Sequence, residues 1–253
     1  MQKEVYGRKI SHDPAITRSE IFDNNKHVYV DCNEFAPPFS QIHKGNSYLG
    51  GRNIISLLYP DNWNLIRPEL IRSASETMLR DAETFFYEYG RIKSVDSVRE
   101  EWKNFMKSIA YAIKYLPETA PERNKILKEF GRLKEVSYWI LCGMKGANSE
   151  KTPVIDNLVE LFSIFKSIPL DKHERKKLRD VKRRKANGSV HPADEFLFAA
   201  ALQDSVFKDI KSCVMTGDSD IYKMLQKTVA CFHKNSTSFT RAVFKNGPTI
   251  YYN

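Results

Sequence analysis

No apolar run in this chain of 253 residues is long enough to span a bilayer, and Met-Gln-Lys-Glu-Val at the N-terminus does not read as a signal peptide. Cysteine is scarce. Cys32, Cys142, Cys213 and Cys231 show neither Cys-x-x-Cys spacing nor a zinc pattern. The expectation is reduced, mostly buried thiols in a cytoplasmic protein with no membrane partner. No Ser-His-Asp or Cys-His constellation emerges, so nucleophilic hydrolase chemistry has no support. His191 stands in a loop before Pro192 and reads as incidental. The loop over 41–53 holds Gly45, Gly50 and Gly51 with Lys44 and Arg52. It lacks the Gly-x-x-x-x-Gly-Lys spacing of a nucleotide loop, and a plain flexible loop is expected there. There are no internal repeats and no low-complexity tail.

What is present is a folding composition with a basic excess. Hydrophobic residues make up 42% and aromatics 12%, enough for a real core in one large domain or two small ones. Forty Lys+Arg against 31 Asp+Glu give a net charge of +9, which favours an anionic partner. The excess is concentrated. From Lys172 to Lys185, nine of fourteen residues are basic, and only Leu178 and Val181 are apolar. A helix there, capped by Asp171 and closed at Asn187-Gly188, would carry cations over most of its surface. Lys172, Arg175, Lys176, Arg179, Lys182, Arg183 and Lys185 are the candidate phosphate contacts.

Along the chain, residues 1–26 look polar and irregular, an arm or a peripheral helix. Lys26 to Asp31 reads as a strand, stopped after Ala36 by Pro37-Pro38. Asn64 to Arg67 reads as a short strand and Pro68 as a helix start, with the helix running to Tyr89. Val98, Trp102, Phe105, Ile109, Ile113 and Leu116 mark an amphipathic helix that Pro117 ends. Ile126, Phe130, Leu133, Val136 and Ile140 mark another. These two look like an inserted helical pair at about 90–150. Val154 to Lys166 reads as an apolar helix. Asp194 opens an Ala-rich helix, and a short apolar strand then ends at Thr216-Gly217. Ile221 to Leu225 continues as a helix, and strands are expected at 228–232, 239–244 and 249–252.

Carboxylates gather at the ends of these elements. Asp31 closes the first strand, Asp194 leads a helix, and Asp218 and Asp220 follow the strand that ends at Thr216. In open α/β folds the carboxyl ends of strands are where ligands bind. Clustered carboxylates repel each other and call for cations.

These residues resemble the motifs of PIN-domain nucleases. Val28-Tyr29-Val30-Asp31-Cys32-Asn33 is similar to the opening motif, an aliphatic strand ending in Asp and followed by Asn. Ala193-Asp194-Glu195-Phe196-Leu197-Phe198-Ala199-Ala200-Ala201 resembles the third motif. Val214-Met215-Thr216-Gly217-Asp218-Ser219-Asp220 resembles the fourth, with wording close to the related NYN nucleases. The likeness covers about 26–35 and 154–225 and is absent over about 90–150.

The resemblance implies a single α/β domain over 1–253, a three-layer α/β/α fold with a mostly parallel sheet and the helical insertion. It implies one or two Mg²⁺ or Mn²⁺ ions and hydrolysis of phosphodiesters, in RNA first and single-stranded DNA second. Asp31, Asp194 and Asp218 carry over as metal ligands, Asp220 as an extra acid, and Thr216 as a supporting hydroxyl. The second motif departs from the family. Its acid is assigned to Glu76, with Glu69 and Asp81 as competitors; Glu34 and Glu195 neighbour matched acids. Glu69 and Asp204 otherwise read as surface carboxylates or N-caps. Toxin-like or defence roles, a homodimer and an inhibitory protein partner also come with the resemblance. A degenerate module that binds nucleic acid or a protein without cutting is the alternative.

Overall fold

The computed structural model describes residues 3–5, 8–10, 18–36, 53–89, 92–146, 192–217, 221 and 246–252. The loop over 41–52, the helices expected at 154–166 and 172–185, His191, Asp218, Asp220, and the strands expected at 228–232 and 239–244 lie outside them. The chain forms two compact units, one of Met1–Tyr29 with Glu150–Asn253, the other Val30–Ser149. The architecture is α/β with a parallel sheet and mostly helical content.

The first unit opens with a hairpin that the polar N-terminal sequence hides. Strands β1 (Lys3–Val5) and β2 (Arg8–Ile10) pair antiparallel, Glu4 opposite Lys9. Helix α1 (Arg18–Asn24) follows and buries Ile21 and Phe22. Strand β3 (His27–Val30) is buried over Val28, Tyr29 and Val30.

Among the described residues of this unit, helix α7 (Pro192–Phe207) and strand β5 (Ser212–Thr216) are deeply buried. Leu197 through Leu202 have no solvent exposure. A helix apolar on every side belongs inside a core, and three consecutive alanines let neighbours approach closely. All five residues of β5 are buried, as a parallel strand covered on both faces requires. β6 (Thr249–Tyr252), expected as a terminal strand, pairs parallel with β5, Val214 opposite Ile250. On its other side β5 neighbours β3.

The turn between α7 and β5 uses Asp209 at φ 53°. Asp tolerates this left-handed region better than most residues. The amides of Lys208 and Ile210 reach back to the carbonyls of Gln203 and Asp204, capping the helix end. The Ser212 hydroxyl then donates to the Ala201 carbonyl at 2.7 Å, fixing where β5 starts against the helix.

The second unit is helical: α2 (Cys32–Phe35), α3 (Ile54–Leu57), a 3₁₀ turn (Pro60–Leu65), α4 (Pro68–Glu83), a π segment (Thr84–Tyr89), the two-residue strand β4 (Ile92–Lys93), α5 (Asp96–Tyr115) and α6 (Arg123–Gly146). The expected strand at Asn64–Arg67 is not formed. Asn62 donates its side-chain amide to Ser56, and Trp63 its indole N–H to Leu58, holding a 3₁₀ turn. Ile66 and Arg67 are extended, but Pro68 disfavours helical dihedrals at Arg67 without any sheet.

The amphipathic helices expected at 98–116 and 122–142 are α5 and α6, and their apolar stripes are buried. Both share a unit that begins at Val30, and α6 packs on α4 as well as on α5. Arg72 of α4 donates from Nε and Nη2 to Oε1 of Glu129 on α6, at 3.1 and 2.8 Å. Inside, Trp102 is fully buried and donates to the Ser137 carbonyl at 2.9 Å. Its ring lies 6.0 Å from Phe35 and 4.9 Å from Phe105. Of the cysteines, Cys32 and Cys213 are buried thiols as expected, whereas Cys142 on α6 is exposed. No described helix is long and apolar enough to cross a membrane.

Candidate metal centre

Asp31 follows β3 directly and stands at the N-cap of α2 in extended conformation. Its side chain does not cap the helix. Instead Oδ2 accepts from the Asn33 amide at 3.2 Å, which orients the carboxylate. Asp31 and Cys32 are buried, at 2% and 3% exposure. The Cys32 thiol donates to the Val98 carbonyl at 3.4 Å and so ties α2 to α5. Glu101 lies one helical turn beyond Val98 and therefore on the same side of α5. One ligand atom from each of Asp31, Cys32 and Glu101 lies within 4.8 Å of the others. Glu101 is partly exposed, so this buried group has an edge toward solvent.

The donor set fits a hard divalent ion. Two carboxylate oxygens, each about 2.1–2.4 Å from one ion, sit at most roughly 4.2–4.8 Å apart. A thiol ligates as thiolate and prefers softer metals. Cys32 is engaged as a hydrogen-bond donor, so Asp31 and Glu101 are the two residues of the group that could offer oxygens to an ion.

The other expected acids are distributed as follows. Glu76 is exposed on α4 and lies 3.5 Å from Nη1 of Arg132. Glu69 is exposed in the first turn of the same helix. Asp81 is buried, 3.8 Å from Nε of Arg80. Among the described residues, none of these three belongs to the Asp31 group. Glu34 is buried on α2.

In the first unit, Asp194 is buried in the first turn of α7, two residues after Pro192. A carboxylate there is favoured by the helix dipole. Thr216 is fully buried at the last position of β5. The two lie at one end of their αβ unit. Ser212 binds Ala201; from there the helix climbs about 10 Å back to Asp194. The strand covers about 13 Å to Thr216. Asp218 and Asp220 lie outside the described residues.

The opposite end of this unit holds an unexpected buried charge. Asp204 has no solvent exposure, so it is neither a surface carboxylate nor an N-cap. Tyr29 donates to its Oδ2 at 2.6 Å, His27 Nδ1 stands 2.6 Å from the same oxygen, and Lys208 Nζ lies 3.0 Å from Oδ1. Burial pushes the carboxyl pKa up, but the hydrogen bonds from Tyr29, His27 and Lys208 outweigh it and hold the group below its ordinary value. His27 opens β3, so this network sits at the amino edge of the sheet, away from the ligand-binding edge of parallel folds. Its chemistry is that of a lock between β3 and α7.

Two residues here escaped the reading of the sequence, and each had a signal. Glu101 is three residues from Val98 and four from Phe105, on the flank of a buried stripe. Asp204 continues the spacing Leu197, Ala201, Asp204 on a helix with no polar face. No protein-family model, curated protein or solved structure matches the chain.

Proposed function

We propose that this chain is a metal-dependent nuclease of PIN-like, three-layer α/β/α fold, hydrolysing phosphodiester bonds in RNA and, second, in single-stranded DNA. The observation that carries the reading is the Asp31–Glu101 pair, a strand-end aspartate with a second carboxylate within 4.8 Å. Asp31 and Glu101 would hold Mg²⁺ or Mn²⁺. When bound, such an ion acidifies a coordinated water and screens phosphate charge. Asn33 keeps Asp31 in one orientation, and the Cys32–Val98 bond keeps the two carboxylates in register. Glu101 takes the role that the sequence assigned to Glu76. Asp194, Asp218 and Asp220 enter from the resemblance as further ligands, Thr216 as a supporting hydroxyl, and the basic stretch 172–185 as the backbone grip.

A non-catalytic module that binds nucleic acid or a protein is the second reading. Glu76, exposed and paired with Arg132, favours it. A panel of labelled RNA and single-stranded DNA, incubated with Mn²⁺, Mg²⁺ or EDTA, separates the two. Cutting of RNA that EDTA abolishes supports the nuclease. Salt-sensitive binding without cutting in either metal supports the module.

A further inference from the structure

Three aromatic rings meet on the solvent side of the second unit. The rings of Trp63 and Tyr111 are 6.1 Å apart, and those of Tyr111 and Tyr115 are 4.5 Å apart. Tyr111 and Tyr115 are 49% and 50% exposed. A lone exposed aromatic needs no explanation. A row of three rings in mutual contact at the surface does, because the core of this unit is already filled by Trp102, Phe35 and Phe85. Trp63 is anchored by its edge, through the indole N–H to Leu58, so the ring plane is set in advance.

Cations alternate with these rings along α5. Lys107, Tyr111, Lys114 and Tyr115 follow the spacing i, i+4, i+7, i+8 and share one face. Lys114 Nζ lies 5.1 Å from the centre of the Tyr115 ring. Lys107 is exposed one turn before Tyr111. Every large hydrophobic side chain exposed among the described residues is a tyrosine. Flat rings beside amines match the chemistry of a single strand, whose bases stack and whose phosphates pair with cations.

We propose that Trp63, Tyr111 and Tyr115, with Lys107 and Lys114, form a stacking platform for single-stranded nucleic acid. The inference rests on the nucleic-acid part of the reading above and not on cleavage. Binding of fluorescein-labelled oligo-uridine to the full chain, followed by anisotropy in EDTA at several salt concentrations, tests it. Tyr111→Leu with Tyr115→Leu keeps apolar bulk and helix propensity but removes the ring faces. The expected result is affinity weakened about tenfold or more, with the far-UV circular dichroism melt unchanged. Tyr111→Phe with Tyr115→Phe binds as the wild type does. Lys107→Gln with Lys114→Gln lowers the slope of log affinity against log salt by about 1.4. Wild-type affinity in the leucine pair overturns the inference, as does a wild-type chain that fails to bind the oligonucleotide. Asp31→Asn retains binding whether or not the wild type cuts, so the platform and the nuclease stand or fall separately.

Discussion

The Tyr29 hydroxyl donates a 2.6 Å hydrogen bond to Oδ2 of Asp204, a carboxylate with no solvent exposure. This joins the middle of β3 to the last turns of α7, and His27 and Lys208 complete the cage. Removing one partner of a buried charge leaves the other without compensation. Asp204→Ala is expected to cost about 3–5 kcal/mol, and Tyr29→Phe about 1.5–3 kcal/mol. Urea unfolding at neutral pH measures both.

The same carboxylate sets a pH dependence. Its folded pKa lies below the ordinary 3.8, so the folded state favours the charged form. Its stabilisation is full above that ordinary value and is lost as pH falls through the folded pKa. Midpoints measured between neutral pH and strong acid should drop less steeply below 3.8 in Asp204→Asn than in the wild type. An unchanged acid limb in the variant would remove Asp204 from the acid response.

Two glycines of α6 predict opposite signs for one substitution. A Cβ at Gly131 meets nothing within 4 Å, so Gly131→Ala gains helix propensity and stabilises by up to about 1 kcal/mol. At Gly143 a Cβ would stand 2.5 Å from Cε2 of Phe86, whose ring stacks on Phe35 and meets Trp139 edge-on. Gly143→Ala should destabilise by about 1–2 kcal/mol net, since overpacking exceeds the propensity gain. Thermal midpoints of the two variants check the difference in sign.

Trp102 is the largest fully buried side chain and the hub of the Phe35 and Phe105 rings. Trp102→Ala is expected to cost about 3–5 kcal/mol. Trp102→Phe should cost less, keeping most of the volume while losing the bond to Ser137. Near-ultraviolet circular dichroism and urea midpoints report both.

Much of the fold was legible because apolar spacing carries it. The strands at 27–30, 212–216 and 249–252, and the helices α4 to α7, lie close to where apolar spacing puts them, except that α4, expected to reach Tyr89, gives way after Glu83 to the π segment. The failures have physical reasons. Extended dihedrals at Ile66–Arg67 mimic a strand because a proline follows, and the three-residue strands of the first hairpin are too short to show a period. Asp31 and Asp194 were marked by their places at element ends, and both are buried. Glu101 was not, because an acid in an amphipathic helix reads as solvent-facing until the helix is docked. Glu76 looked equivalent in sequence, yet it faces solvent and Arg132. Asp204 reads as a surface carboxylate or an N-cap because its partners His27 and Tyr29 are 177 and 175 residues away.

The most direct test is cleavage of a labelled single-stranded RNA in Mn²⁺ by the wild type, Asp31→Asn, Glu101→Gln and Glu76→Gln, with thermal melts in EDTA alongside. The expected result is cutting by the wild type, loss of at least a hundredfold in Asp31→Asn and Glu101→Gln, and near-normal rates in Glu76→Gln. Such a loss amounts to about 2.7 kcal/mol of transition-state stabilisation. Melts should stay close to wild type, so that folding does not explain the loss. Cutting that persists in Asp31→Asn and Glu101→Gln, or a wild type that does not cut in any metal, would contradict a metal-dependent nuclease built on this pair.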